Sequence, residues 1–383
     1  MIGNIACLAL PVYLSWKHIM QHLKSSTEST QQLQQILRDC QAIAPEDYRA
    51  IRISELRSCN SSIAYYEFGD PHGAPLLCLH GLSVSGFYFG QFDAVLRAMG
   101  LRAIAPCLLG GVYQADATVT IDTLASRVLE LMDSLSIAQF DVVGFSWGTL
   151  TELALMARAP ERIGKAGFLG AMTPIAFVGQ RQLDQLKGDV RLSLTMVRRV
   201  PRLHRSLMAM ILKMPLEKML DQFKDEHLST RERQALEPGS AFRTDFVRSM
   251  GECIRTGGRF FTDGWRMCLD QPTYALDALP RRAASIETHL YVAEHDNVHL
   301  PWFSALIAAS LTGIDVAEVD RRLQTSVSQP ASVGNDGYYQ VYARGQCSIW
   351  MMDGAGRIAS VLYFEEALRN MMAHAPARQA LAG

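Results

Sequence analysis

Gly144-Phe145-Ser146-Trp147-Gly148 closes a strand-like stretch at residues 139–144 and opens an apolar-periodic stretch at 148–159. The first pattern predicts a strand and the second a helix, so the serine falls at the apex of a sharp strand-to-helix turn. Both glycines fit that geometry, because side chains at 144 and 148 would collide with neighbouring backbone. The turn exposes Ser146 at a helix amino terminus, where backbone N–H groups favour a developing negative charge.

Outward from this point the pattern is regular. Upstream, residues 51–56 and 62–68 alternate as an antiparallel pair, and Pro75-Leu-Leu-Cys-Leu-His80 reads as a strand buried on both faces. A helix is expected at 87–99, a strand at 102–106, a helix at 120–135, and a further strand at 163–170. Strands separated by helices of this length predict βαβ units and a mostly parallel sheet. From residue 174 to about 285 the chain is helical, rich in Met and Arg, and without a convincing strand. Strand pattern returns at His289–Glu294 and Cys347–Met352, and a last helix follows at 360–372. The expected organisation is an amino-terminal helical extension (1–50), an α/β core in two parts (51–172 and 286–383), and a helical lid inserted between them (173–285).

These segments resemble the α/β-hydrolase family over roughly residues 60–172 and 286–372. His80-Gly81 after a buried strand looks like the family's oxyanion loop, and Ala157-Arg-Ala-Pro-Glu-Arg-Ile163 like the segment that follows the nucleophile helix. Tyr291-Val-Ala-Glu-His-Asp296 through Pro301 resembles the strand and turn that present the catalytic acid. The resemblance implies an α/β fold with a mostly parallel central sheet flanked by helices. It also implies Ser146 as nucleophile, Asp296 as acid, and the N–H groups of Trp147 and Leu82 as oxyanion hole. His80 then shapes its loop and lies beside the ligand site. A serine at the elbow speaks against a dehalogenase, whose nucleophile there is a carboxylate.

The third triad member departs from the family. Where a Gly-His turn should follow the last strand, the chain reads Asp353-Gly-Ala-Gly-Arg357, placing Arg357 at the histidine position. Arginine has no acceptor and keeps its proton, so it cannot serve as base. The ordinary Ser-His-Asp cycle then lacks its base unless another histidine reaches Ser146. His299, three residues after Asp296, is the best candidate, ahead of His295, His204, His227 and His374. Between Asp296 and Arg357 lie 60 residues, more than one helix needs. The excess around 313–342 reads as a long loop or hairpin insertion.

The lid has its own charge pattern. Residues 181–233 hold twelve Lys+Arg and seven Asp+Glu, a local +5 inside a chain of net charge -1. Val200, Leu203, Leu207, Ile211 and Met214 recur at helical spacing, with Pro201 as a start and Pro215 as a stop. This predicts a solvated basic face over a buried apolar one. The alternative is attraction to an anionic ligand group, an acidic partner or a membrane surface. Met196, Met208, Met210, Met214, Met219 and Phe223 would suit an adaptable acyl pocket. Ser229-Thr-Arg-Glu232 reads as a capping box.

Residues 2–16 are mostly apolar but interrupted by Asn4 and Pro11. Fifteen helical residues reach only ~22 Å, short of a ~30 Å hydrocarbon core. A surface-packed helix is expected there, with an interfacial anchor as the alternative, so peripheral membrane contact through residues 1–20 or the basic lid stays open. The eight cysteines form no CxxC pair, which points to a reducing, cytoplasmic setting rather than a disulfide framework or zinc cluster. Neither charge nor composition suggests a nucleic-acid partner, and no metal or organic cofactor is implied. Two readings follow. One is a serine hydrolase cleaving a small-molecule acyl ester, thioester or lactone through acyl-Ser146. The other is an inactive hydrolase-like protein that binds such a ligand or a protein partner, with Arg357 pairing a ligand carboxylate or Asp296.

Overall fold

Leu76 and Cys78 belong to one buried cluster and Leu77 and Leu79 to another, and all four are inaccessible to solvent. A strand whose alternate residues enter two cores must be covered on both faces, and this one lies inside a sheet sandwiched between helices. The computed structural model describes residues 52–56, 61–82, 84–108, 119–211, 228–254, 259–270, 285–328, 338–352, 355–356 and 358–373, with single positions 220, 272, 279 and 283.

Among the described residues nine strands form one sheet: β1 (Arg52–Leu56), β2 (Ser61–Gly69), β3 (Ala74–Leu79), β4 (Leu101–Pro106), β5 (Phe140–Phe145), β6 (Ile163–Leu169), β7 (Glu287–Ala293), β8 (Tyr338–Arg344) and β9 (Cys347–Met352). Their order is β1-β2-β4-β3-β5-β6-β7-β9-β8. The run from β4 to β9 is parallel, and antiparallel pairing is confined to β1/β2, β2/β4 and β8/β9 at the two edges. The order reverses at β3, whose neighbours are β4 and β5. A crevice opens beyond the carboxyl ends of the strands at such a point.

The helices follow from periodicity and caps. Helix α1 (Asp93–Ala98) is short. Helix α2 (Ile121–Ser134) buries Ile121, Leu124, Ala125, Val128, Leu131 and Met132 at helical spacing, behind a Thr120–Thr123 capping box. Helix α3 (Gly148–Arg158) is buried from Gly148 through Met156, as a helix wedged between sheet and neighbouring helices must be. Between β6 and β7 the described residues contain no strand. After a single helical turn at Gln180–Leu183 they form α4 (Gly188–Arg199), α5 (Pro201–Ile211), α6 (Thr230–Ala235), α7 (Ala241–Ile254) and α8 (Arg259–Leu269). Helices α9 (Pro301–Thr312), α10 (Val316–Ser328), α11 (Ala359–Leu362) and α12 (Phe364–Ala373) complete the described chain.

Several expectations need correction. The helix predicted at 87–99 is a 3-10 turn over Gly86–Phe92, capped by the Ser85 hydroxyl, followed by α1. The tighter turn lets Tyr88 donate its hydroxyl proton to the Val361 carbonyl. The stretch at 313–342 is not simply a loop: it holds α10 and the edge strand β8, and only the β8–β9 pair is a hairpin. The last helix is divided at Tyr363 into α11 and α12. The apolar stripe predicted from Val200 onward is only partly covered: Val200 and Leu203 are exposed, Leu207 and Ile211 are half-buried, and His204 is the buried residue of α5. The amino-terminal extension, Met214, Pro215, Met219, Phe223, His227, Arg357 and His374 lie outside the described residues.

Candidate active site

Ser146 follows β5 with φ +53°, a left-handed conformation that a residue with a Cβ rarely adopts. Its N–H donates to the Leu169 carbonyl at 2.9 Å, which ties the turn to the end of β6. The turn closes because Gly148 passes over β3: a Cβ there would lie 2.3 Å from the Leu79 oxygen and 2.7 Å from that of His80. Gly81 is equally constrained, since its Cβ would meet the Phe145 ring at 2.6 Å and the Ser146 Cβ at 3.2 Å. The loop after β3 therefore lies directly against the serine.

The loop after β7 brings the other two groups. The Ser146 hydroxyl donates to His299 Nε2 at 2.7 Å, and His299 Nδ1 donates to Asp296 Oδ2 at 2.6 Å. The other carboxylate oxygen accepts the N–H groups of Val298 (2.8 Å) and His299 (2.9 Å). Asp296 and His299 are 4% and 7% exposed. Burial alone would raise the Asp296 carboxyl. The charge of His299, the bond to its ring and the two backbone donors outweigh burial and hold the carboxyl below its ordinary value. Asp296 is thus an anion that accepts from Nδ1 and leaves Nε2 as the acceptor facing Ser146.

The N–H groups of Trp147 and Leu82 have no hydrogen-bond acceptor among the described residues. Both residues line the cavity above Ser146. His80 does not line it. Its Nδ1 donates to the Gly81 carbonyl at 2.8 Å, and its Nε2 accepts the Leu108 N–H at 2.9 Å. Burial pushes this imidazole down to about 4 against the smaller opposing effect of the Gly81 bond. With both nitrogens engaged, His80 shapes its loop and has none left for a ligand, so its placing beside the ligand site is corrected. His295 carries its ring toward Glu294, and His204 is buried against the Thr262 hydroxyl. Neither reaches Ser146.

The cavity encloses about 350 Å³. The core supplies Leu82, Phe145 at the end of β5 and Val361 in α11 to its wall, while the helices between β6 and β7 supply Val190, Met208 and Met250, among others. Of the methionines expected at an acyl pocket, Met208 lines it, Met210 is exposed and Met196 does not reach it. Met172 and Met250 line it without having been singled out by spacing. Ser193 and Ser360 also face the cavity, and Asp189 is its one carboxylate among the described residues.

Polar tethers join the insertion to the loops that carry these groups. The Trp147 indole donates to the Gly264 carbonyl in α8 at 2.9 Å, and Ser85 N–H donates to the Ser249 hydroxyl in α7 at 2.9 Å. Lys187 N–H donates to the carbonyl of Asn297, between Asp296 and His299, at 2.9 Å. The fully buried Glu232 accepts the N–H groups of Gly356 (2.8 Å) and Ile358 (3.1 Å) in the loop after β9, as well as that of Ser229 (2.8 Å). Sequence pattern found Glu232 as a capping residue. Its second role depends on a loop more than a hundred residues away, and local spacing carries no signal of that.

The sequence pattern of a family described as alpha/beta hydrolase fold matches residues 74–263. A 2-hydroxymuconate semialdehyde hydrolase from Pseudomonas sp. (strain CF600) is 34% identical over 121 residues, 30% of this chain and 42% of that protein. The chain therefore spans less than half the length of this curated relative. Among solved structures, a probable hydrolytic enzyme from Pseudomonas aeruginosa superposes with a TM-score of 0.54 at 17% identity, over 85% of this chain and 94% of that one. A bromoperoxidase from Bacillus anthracis gives a TM-score of 0.54 at 15% identity, over 84% and 99% of the two chains. At such identities the likeness is one of fold.

Proposed function

This chain has the α/β-hydrolase fold, and on that frame we propose that it is a serine hydrolase cleaving a carboxylic ester, thioester or lactone through acyl-Ser146. The observation that carries the reading is the His299 ring, bonded through Nε2 to the Ser146 hydroxyl and through Nδ1 to Asp296. Its spacing is unusual, but its connectivity is that of a nucleophile, a base and an orienting acid.

In the first half-reaction, His299 Nε2 takes the Ser146 proton as Oγ adds to the acyl carbon. The carbonyl electron pair moves onto oxygen, where the Trp147 and Leu82 N–H groups receive it. Collapse breaks the bond to the alcohol or thiol, which leaves with the proton from His299. In the second half-reaction, water gives its proton to Nε2, adds to the acyl carbon and expels Ser146, which regains that proton as the acid departs. Asp296 remains ionised throughout and stabilises the imidazolium. The cycle consumes only acyl substrate and water. The apolar wall and the cavity volume suit a small or medium acyl group.

The inactive-binder reading rested on a missing base. The histidine bonded to the Ser146 hydroxyl supports the catalytic reading over it.

A serine-directed fluorophosphonate tests the proposal, together with short- and medium-chain acyl esters. Prompt labelling and turnover are expected in the native chain and absent from Ser146→Ala, with turnover also lost in His299→Ala. An unlabelled, inactive native chain overturns the reading. Activity that appears only in Arg357→His would move the base to the loop after β9.

A further inference from the structure

The large apolar side chains that stand clearly exposed among the described residues are Leu192 (57%), Val200 (43%), Leu203 (47%) and Met210 (50%). All lie on α4, on α5 or at the junction between them. Leu203 and Met210 are seven residues apart on α5, so they share one stripe of the helix. The same two helices carry Arg191, Arg198, Arg199, Arg202 and Arg205 against a single carboxylate, Asp189. Arg198, Arg199 and Arg202 are exposed and have no carboxylate within ion-pair distance among the described residues. Beside Leu192 a groove of about 840 Å³ is lined by Arg191, Arg198, Arg199 and Asp184 together with aliphatic residues such as Leu183 and Leu194.

We propose that the α4–α5 face docks this protein on the surface of an anionic lipid bilayer, with the arginines at the phosphate level and Leu192, Val200, Leu203 and Met210 in the acyl boundary. Interfacial helices combine these features: apolar side chains leave water while guanidinium groups pair with phosphate oxygens. The chemistry favours a bilayer over a protein partner. The exposed residues are aliphatic and include no aromatic anchor, and the groove beside Leu192 sets three arginines among aliphatic side chains, the mixture an interfacial helix presents to lipid. Charge distribution agrees, because the +5 of residues 181–233 leaves a net −6 on the remainder of the chain. An anionic surface therefore attracts this face and repels the body. The docking face also backs onto the cavity, since Val190, Ser193, Met208 and Ile211 of the same helices line its wall. Docking does not depend on the catalytic reading, and the two can fail separately.

The test is flotation of the full-length protein with vesicles of phosphatidylcholine alone and of phosphatidylcholine mixed with phosphatidylglycerol. Binding is expected to the mixed vesicles, with little to the neutral ones, and should weaken as salt rises. Leu203→Ser/Met210→Ser should reduce it about tenfold or more, as should Arg198→Gln/Arg199→Gln/Arg202→Gln. Both sets should keep the native circular dichroism spectrum and the native turnover of a water-soluble ester without vesicles. Failure to bind anionic vesicles overturns the proposal, as does equal binding to both vesicle types. Unchanged binding by the folded variants also overturns it and places any membrane contact elsewhere, with residues 2–16 first in line. Capture by immobilised polyglutamate without vesicle binding would replace the bilayer with an acidic polypeptide.

Discussion

His299 Nε2 lies 2.7 Å from the Ser146 hydroxyl, across 153 residues of sequence, while the carboxylate that orients the ring is only three residues away at Asp296. One short loop after β7 thus carries both orienting acid and candidate base. The Asp296 carboxylate works at two levels: Oδ1 folds the loop by accepting two backbone N–H groups, and Oδ2 holds the ring.

These two roles separate under mutation. Asp296→Asn keeps an oxygen for the loop donors but is able to turn an amide N–H toward Nδ1, which favours the tautomer whose Nε2 cannot accept from Ser146. We expect kcat to fall by about 10⁴ with little change in stability. Asp296→Ala should show a similar loss of kcat and a further loss of about 1–3 kcal/mol in urea unfolding, because the loop donors lose their acceptor. Equal stability of the two variants would refute the folding role of Oδ1.

Glu152 lies fully buried in α3 behind the elbow, and a Cβ on Gly144 would sit 2.5 Å from its carboxyl. Burial pushes this carboxyl well above its ordinary value of 4.5, against smaller opposing contributions from the backbone of Gly144 and Gly167. A carboxyl raised in the folded state favours folding most below the unfolded value. That contribution is lost as pH rises toward the folded one. Glu152→Gln does not titrate, so its stability relative to the native protein should improve between pH 5 and pH 8, by up to about 1.4 kcal/mol per pH unit. Denaturant unfolding at both pH values measures this, and a flat difference would mean that the carboxyl ionises in place.

Glu232 links the insertion to the loop after β9, where Ile358 and Ser360 line the cavity. Glu232→Ala strands three backbone donors and should cost about 2–3 kcal/mol, with Glu232→Gln intermediate. Because the loop forms one wall of the cavity, KM for a medium-chain ester should rise more than kcat falls. A stability loss without any change in KM would make the contact structural alone.

Phe246 in α7 lines the cavity and packs edge-on against Tyr88, with ring centroids 6.1 Å apart. Phe246→Ala should lengthen the preferred acyl chain, as read from kcat/KM across a homologous ester series, at a stability cost of up to about 3–5 kcal/mol. Phe246→Leu should shift the preference less. An unchanged chain-length profile would show that the acyl group lies elsewhere in the cavity.

Sequence by itself determined the frame. The buried run at 75–80, the G-x-S-x-G turn and the alternation of strand and helix up to residue 170 depend on local periodicity and turn chemistry, which survive without tertiary context. Ser146, Asp296 and the oxyanion loop follow from the resemblance of these segments, and of residues 291–301, to the α/β-hydrolase family, and His299 only as the best of several histidines. Tertiary structure decided the rest. Whether His299 reaches Ser146 depends on the direction in which the Asp296 turn folds. Whether Glu232 merely caps α6 or also grips Gly356 and Ile358 depends on a contact across the molecule. The α5 stripe has the periodicity of a buried face, yet Val200 and Leu203 meet solvent. Periodicity shows that a helix has an apolar side, and only packing determines what, if anything, covers it.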